Sequence, residues 1–282
     1  MKLDLVYKNE NTIFEEAGGD VPYLEYPFLR ETGIVKHGFS TRLGGVSQGY
    51  FSSMNLSFDR GDDPAAVLEN FRRIGAAIGV KCEDMVLAKQ THTTNIRVVT
   101  EEDRGKGVLK ERDYTDVDGL VINIPGICLV TSYADCVPLF FVDPVRRVIG
   151  LSHSGWRGTV GKIGKRTVET MREVYGCRPE DILAAVGPSV CVDCYEVSKD
   201  VADRFREAFE ERLWPDLFYE KPDGKYQLNL WKANELIFRE AGIVPEHIAV
   251  TNLCTHCNSR MLYSHRTAGD KRGNMCAFLA LK

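Results

Sequence analysis

Ile127-Cys128-Leu129-Val130-Thr131, Leu139-Phe140-Phe141-Val142 and Val148-Ile149-Gly150-Leu151-Ser152 follow one another in the middle of the chain, separated by turn-forming Gly, Pro and Asp. Each run is apolar on successive residues. A strand with one wet face alternates apolar with polar, so unbroken runs of this kind belong in a sheet covered on both sides. Layers are therefore needed above and below, and the rest of the chain has to supply them.

Upstream, β-type runs at residues 3–7, 12–15 and 33–41 lead into the polar loop Arg42-Leu43-Gly44-Gly45-Val46-Ser47-Gln48-Gly49. A helix is predicted next, with Asp62 or Asp63 as N-cap and Pro64 in its first turn. Val67, Phe71, Ile74 and Ile78 draw its apolar stripe. Short strands are expected at 85–88, 96–100 and 120–122. Beyond Gly158 the period turns helical over 159–175, followed by a strand at 182–186, helices at 199–213 and 229–241, and strands at 248–253 and 277–281. No repeat, linker or biased segment divides the sequence, so residues 1–282 read as one mixed α/β domain with central sheets and outer helices.

Of the 282 residues, 44% are hydrophobic and 27% charged, which excludes a disordered or low-complexity chain. Lys plus Arg number 36 against 40 Asp plus Glu, and this net charge of −4 argues against nucleic-acid or membrane partners. Met1 to Glu10 carries both signs of charge and no apolar core, so no signal peptide is expected. The most apolar stretch, 127–142, is broken by Thr131, Ser132, Asp135 and Pro138 before it reaches the length of a membrane span. Nine Cys without an export signal point to a reducing cytoplasm, where Cys are ligands, nucleophiles or core residues.

His92, Cys136 and His153 each stand at the end of an apolar strand, where an unpaired polar group is expensive. Two imidazoles and one thiolate suit a Zn²⁺ with its fourth position open to water; the bland alternative is three unrelated core or loop residues. The pairs Cys191/Cys194 and Cys254/Cys257 have the C-x-x-C spacing of a structural zinc site. They are far apart along the chain, however, and buried free thiols are the expectation, with one zinc per chain. Arg42, Gly44, Gly45 and Ser47 form a loop of donors able to cradle phosphate, with Arg157 as a second guanidinium, against the alternative of a solvated connection. Asp116, Asp118 and Asp135 are the carboxylates nearest the three ligand candidates, as general bases or as orienting groups. The His-x-Glu deaminase signature, His-Glu-x-x-His and the Gly-x-Ser-x-Gly elbow are absent, and six His with no His-x-His pair are poor material for a multicopper centre.

Nine motifs in order resemble one family: His37-Gly38-Phe39-Ser40-Thr41-Arg42-Leu43-Gly44-Gly45-Val46-Ser47, Ser53-Met54-Asn55-Leu56, Lys89-Gln90-Thr91-His92, Thr115-Asp116-Val117-Asp118-Gly119, Ala134-Asp135-Cys136-Val137-Pro138, Ser152-His153-Ser154-Gly155-Trp156-Arg157-Gly158, Val186-Gly187-Pro188, Cys194-Tyr195-Glu196-Val197 and Cys254-Thr255. The chain resembles the YfiH-like proteins, labelled laccase-domain or polyphenol oxidoreductases and later recognised as purine nucleoside phosphorylases with adenosine deaminase activity. The resemblance implies a four-layer αββα sandwich and a Zn²⁺, with copper as the other metal, held by His92, Cys136 and His153. It places Asn55, Gln90, Asp118, Asp135 and Arg157 around the same cleft, with Arg42 in the matching loop, and it favours free thiols for the four Cys-x-x-Cys positions. The family's Ser-Tyr-Arg-Arg and Thr-Gly-Arg are replaced by Ser264-His265-Arg266-Thr267 and Lys271-Arg272-Gly273.

Purine nucleosides and phosphate are the implied partners of a cytoplasmic monomer or homodimer. Arg42 is the expected phosphate ligand, and Asp118 or Asp135 the expected proton carrier. Two rivals remain: phenol oxidation at bound copper, and a non-catalytic zinc-stabilised binding protein in which His37 or His265 supplies a fourth ligand.

Overall fold

The computed structural model, which describes residues 3–11 and 13–282, divides the three central apolar runs between two sheets. The first sheet runs Glu15–Ala17, Tyr23–Glu25, Val35–Ser40, Met275–Leu281, Cys128–Tyr133, Met85–Leu87. The second runs Ile248–Val250, Leu183–Val186, Val137–Asp143, Val148–Ser154, Gly119–Ile122, Ile96–Val98. They pack face to face through Phe39, Leu129 and Leu279 on one side and Leu120, Phe140 and Leu151 on the other, all fully buried. The helix Pro64–Ile78 covers the first sheet with Val67, Phe71 and Ile74. Ile163–Tyr175 and Leu230–Glu240 cover the second with Met171, Ile237 and Phe238. This is the four-layer αββα order, and it explains why the central strands are apolar on both faces.

Local chemistry fixes most element ends. Asp63 caps the Pro64–Ile78 helix by accepting from the Ala65 N–H at 3.0 Å, and Asn229 caps the Leu230–Glu240 helix through Lys232 N–H. The helix expected over 159–175 is two, Trp156–Val160 and Ile163–Tyr175, because Lys162 adopts φ 57° and breaks the ladder between them. The helix expected over 199–213 ends at Ala208, where Phe209 turns extended to bury its ring. Of the predicted strand at 3–7 only a Tyr7–Leu253 bridge forms, and the one expected at 12–15 begins at Thr12, outside the described residues. A small third sheet of Glu196–Val197, Tyr226–Leu228 and Phe218–Glu220 carries no alternating pattern long enough to predict.

One end of the sandwich gathers the crossovers. Met85–Leu87 and Cys128–Tyr133 are parallel, so both leave the first sheet at the same end. The chain then crosses to the second sheet through residues 88–95 and through Ala134-Asp135-Cys136 respectively. In the second sheet Pro138 pairs with His153, which brings the start of one strand beside the end of its antiparallel partner.

Candidate functional site

His92 lies on the first crossover, Cys136 on the second and His153 at the strand end between them, and their ligand atoms all fall within 4.8 Å of one another. His92 Nε2 stands 3.9 Å from Cys136 Sγ. Both crossovers are bent: His92 has φ 67° and Asp135 φ 82°, left-handed conformations that a non-glycine residue holds only when its surroundings fix it. Gly155 lets the following turn approach, since a Cβ there would stand 2.8 Å from the His92 ring and 3.2 Å from Cys136 Sγ.

Asp118 is what fixes the surroundings. Fully buried, it accepts the backbone N–H groups of Thr91, His92 and Thr93 at 2.9, 3.1 and 3.1 Å, so it shapes the His92 loop. It also accepts from His153 Nδ1 at 2.7 Å, which leaves His153 Nε2 free to face the other two donors. Burial favours its protonation, but the His153 contact and the loop N–H groups outweigh burial and hold the carboxyl below its ordinary range. The same balance acts on the partners. Burial resists ionisation of Cys136, yet His153 and His92 bring its thiol down to about 6. His153, despite burial, is raised to about 9 by Cys136 and Asp118. A thiolate beside two imidazoles is a soft donor set suited to zinc or copper.

Two lobes of one cleft, about 700 Å³ and about 290 Å³ in volume, meet at His92 and Cys136, and His153 lines the smaller. The larger is walled by Trp156, Tyr195 and Leu230, with Arg157 stacked 4.2 Å over Trp156 and Arg266 4.8 Å over Tyr195. Arg60 and Arg272 line both lobes, and each has a buried Nε–H with no partner among the described residues. Burial and the neighbouring Arg60 push Arg272 down to about 10 against the opposing charges of Asp135, Cys136 and Asp270, and Arg60 itself pairs with the exposed Asp270 at 3.4 Å.

Asp135 and Arg157 line the larger lobe, and Gln90 lines the smaller one, its amide clamped on Ser132 by bonds of 2.8 and 2.7 Å. Asp135 accepts from Thr255 Oγ1, Ser264 Oγ and Arg266 N–H. Asp116 staples its loop to Asn95. Arg42 is not brought to the cleft. Its guanidinium donates to the Ser52 and Ser259 carbonyls and rests 4.6 Å over Tyr263, which packs the loop against its neighbours. Asn55 is likewise buried in a network with Ser57, Asp62 and Asn274. His37 cannot serve as a fourth ligand, because its Nε2 accepts Tyr26 N–H deep between the sheets, whereas His265 does face the larger lobe. Arg60, Trp156 and Tyr195 escaped notice as site residues. Trp156 and Tyr195 lie within the Gly155-Trp156-Arg157-Gly158 and Cys194-Tyr195-Glu196-Val197 motifs, but nothing near Phe58-Asp59-Arg60-Gly61 distinguishes that arginine from a surface one.

Among the described residues no helix is long and apolar enough to cross a membrane. Residues 36–282 match the family model described as multi-copper polyphenol oxidoreductase laccase. The purine nucleoside phosphorylase YlmD of Bacillus subtilis is 38% identical over 250 residues, 87% of this chain and 88% of that protein. The adenosine deaminase RL5 of an unknown prokaryotic organism is 34% identical over 83% of this chain and 90% of that protein. The crystal structure of the Bacillus licheniformis hypothetical protein YfiH superposes with a TM-score of 0.88 at 33% identity, covering 92% of this chain and 96% of that one. The chain belongs to this YfiH and laccase-like family.

Proposed function

We propose that the cleft is the active site of a metal-dependent purine nucleoside phosphorylase that also deaminates adenosine. Adenosine, inosine, guanosine or methylthioadenosine would react with phosphate to give the free base and the pentose 1-phosphate, and adenosine with water to give inosine and ammonia. The observation that carries the reading is the neck, where Arg60 and Arg272, each with a buried Nε–H unpartnered among the described residues, stand beside the His92, Cys136 and His153 donors under an aromatic lobe of nucleoside size. The relatives named for these two reactions support it.

Arg60 and Arg272 are assigned to phosphate, in place of Arg42, because both line the two lobes and each keeps a buried Nε–H unpartnered among the described residues. Trp156 and Tyr195 offer flat faces to the purine, and Arg157 and Arg266 keep those faces in place. When bound by His92, Cys136 and His153, Zn²⁺ supplies Lewis acidity that makes water nucleophilic at neutral pH. Asp118 is a positioning residue, since five donor contacts occupy its oxygens away from the cleft. Asp135 reaches the larger lobe and is the better placed of the two carboxylates to carry the proton to departing ammonia. Copper at the same donors, oxidising phenols, is the reading that the family description keeps in view.

Purified, metal-quantified protein should be given adenosine and inosine with and without phosphate, and the bases and inosine resolved by chromatography. Hypoxanthine from inosine only when phosphate is present, and inosine from adenosine in either case, are expected. Inertness toward both nucleosides together with turnover of phenols would overturn the proposal.

A further inference from the structure

The four remaining paired cysteines converge. Cys191, Cys194, Cys254 and Cys257 place their sulfurs within 4.8 Å of one another, although sequence spacing favoured independent thiols. The reason lies in the second sheet: Leu183–Val186 and Ile248–Val250 are parallel neighbours, so the loops that follow them leave the same edge side by side. Ser189 pairs with Cys254 across those loops, and Thr255 N–H donates to Ser189 O at 3.1 Å. Distance along the chain is therefore no measure of distance between the two C-x-x-C turns.

We propose that these four cysteines bind a second metal ion, a structural Zn²⁺ separate from the cleft. A zinc tetrathiolate with Zn–S bonds of about 2.3 Å has sulfur-to-sulfur edges of about 3.8 Å. Cys194 Sγ and Cys257 Sγ are 3.6 Å apart, close to that edge and far from the roughly 2.05 Å of a disulfide. Cys191 N–H points at Cys254 Sγ at 3.3 Å, a bond that favours the thiolate the metal requires. A tetrathiolate carries two net negative charges, and Lys8, ion-paired to Asp193 at 2.8 Å, stands within electrostatic reach of Cys191 and Cys257. Cys191 and Cys254 are buried and Cys257 is exposed, which gives an entry path for the ion and a closed inner side.

Such a clasp would act on the cleft through its neighbours. Val190 and Tyr195, next to the first pair, line the larger lobe. Thr255, next to Cys254, donates to Asp135 at 2.6 Å. The metal would thus hold one wall of the cleft and the loop that carries Cys136, without facing the cavity itself.

The test keeps the four cysteines intact and removes the other donors. Full-length C136A/H153A, made under reducing conditions with zinc supplied, should retain one zinc per chain by elemental analysis, while the parent holds two. Replacing that zinc by cobalt should produce the intense sulfur-to-cobalt charge-transfer bands of a tetrathiolate, and adding Cys257→Ser should weaken the bands and the metal content. A folded C136A/H153A chain with no metal would overturn the proposal. So would iron at the site, or loss of two titratable thiols to a Cys194–Cys257 disulfide.

Discussion

The two clusters of ligand side chains sit at the same end of the sandwich and are built on opposite plans. His92, Cys136 and His153 come from two crossovers and a strand end, leave one side open to a cleft, and are aimed by the buried Asp118. The four cysteines come from two adjacent loops of one sheet, turn their sulfurs toward one another with Cys257 at the surface, and supply every donor a tetrahedral ion needs. Three donors with an open side can present a metal to substrate, whereas four closed donors can only bind and hold. The position in the sheet is shared; the number and direction of the donors make the difference.

Removing one donor from the open cluster should have the largest effect. Cys136→Ala is expected to lower phosphorolysis and deamination by about 10³-fold or more, since the Lewis acid leaves with its thiolate, while the melting temperature stays near the parent's. Steady-state rates and a thermal melt on one preparation check it. A variant retaining a tenth of the activity would show that the open cluster does not do the chemistry.

Next in size is a contrast between histidines. His153 is buried with a carboxylate, but His37 is buried with none among the described residues: its Nε2 accepts Tyr26 N–H, its Nδ1 has no partner among them, and burial pushes its pKa down to about 4. The unfolded chain protonates this histidine near pH 6.5, so between about 6.5 and 4 it binds more protons than the folded one, and stability must fall as pH falls. The loss should approach ~3 kcal/mol by pH 4. His37→Gln keeps the acceptor without the titration, so denaturant unfolding at several pH values should show that part of the slope disappearing in the variant.

Asp118→Asn sharpens the same point at the open cluster. It should weaken metal binding there by about 10- to 100-fold, measured by competition with a chromophoric chelator, and leave the metal of the four cysteines unmoved. The smallest expected effects separate the arginines. Arg272→Ala should raise the phosphate KM by about 10-fold through loss of a charge-assisted contact, whereas Arg42→Lys should leave it within about twofold. The reverse order would return the phosphate to the Arg42 loop.

The doubly covered strands and the Pro64–Ile78 helix were legible because burial writes itself into local pattern: apolar runs at 127–131 and 148–152, and a stripe from Val67 to Ile78. The open cluster was legible too, since a histidine or cysteine at the end of an apolar strand stands out. What the sequence hid is what depends on three-dimensional neighbours. Lys162 gives no local sign of its left-handed turn, and Arg42 looks freer than its carbonyl partners leave it. The convergence of Cys191 and Cys194 with Cys254 and Cys257 follows from a parallel strand pairing that spacing cannot report.

The most direct measurement follows both clusters in one sample. The parent protein should be titrated with a chelator while released metal, phosphate-dependent cleavage of inosine and circular dichroism are recorded together. The first metal to leave should take the activity with it and leave the fold intact, and the second should leave only as the structure melts. Activity that persists after the first metal has gone, or unfolding that precedes its loss, would contradict the division of one end of this sandwich into an open reactive centre and a closed structural one.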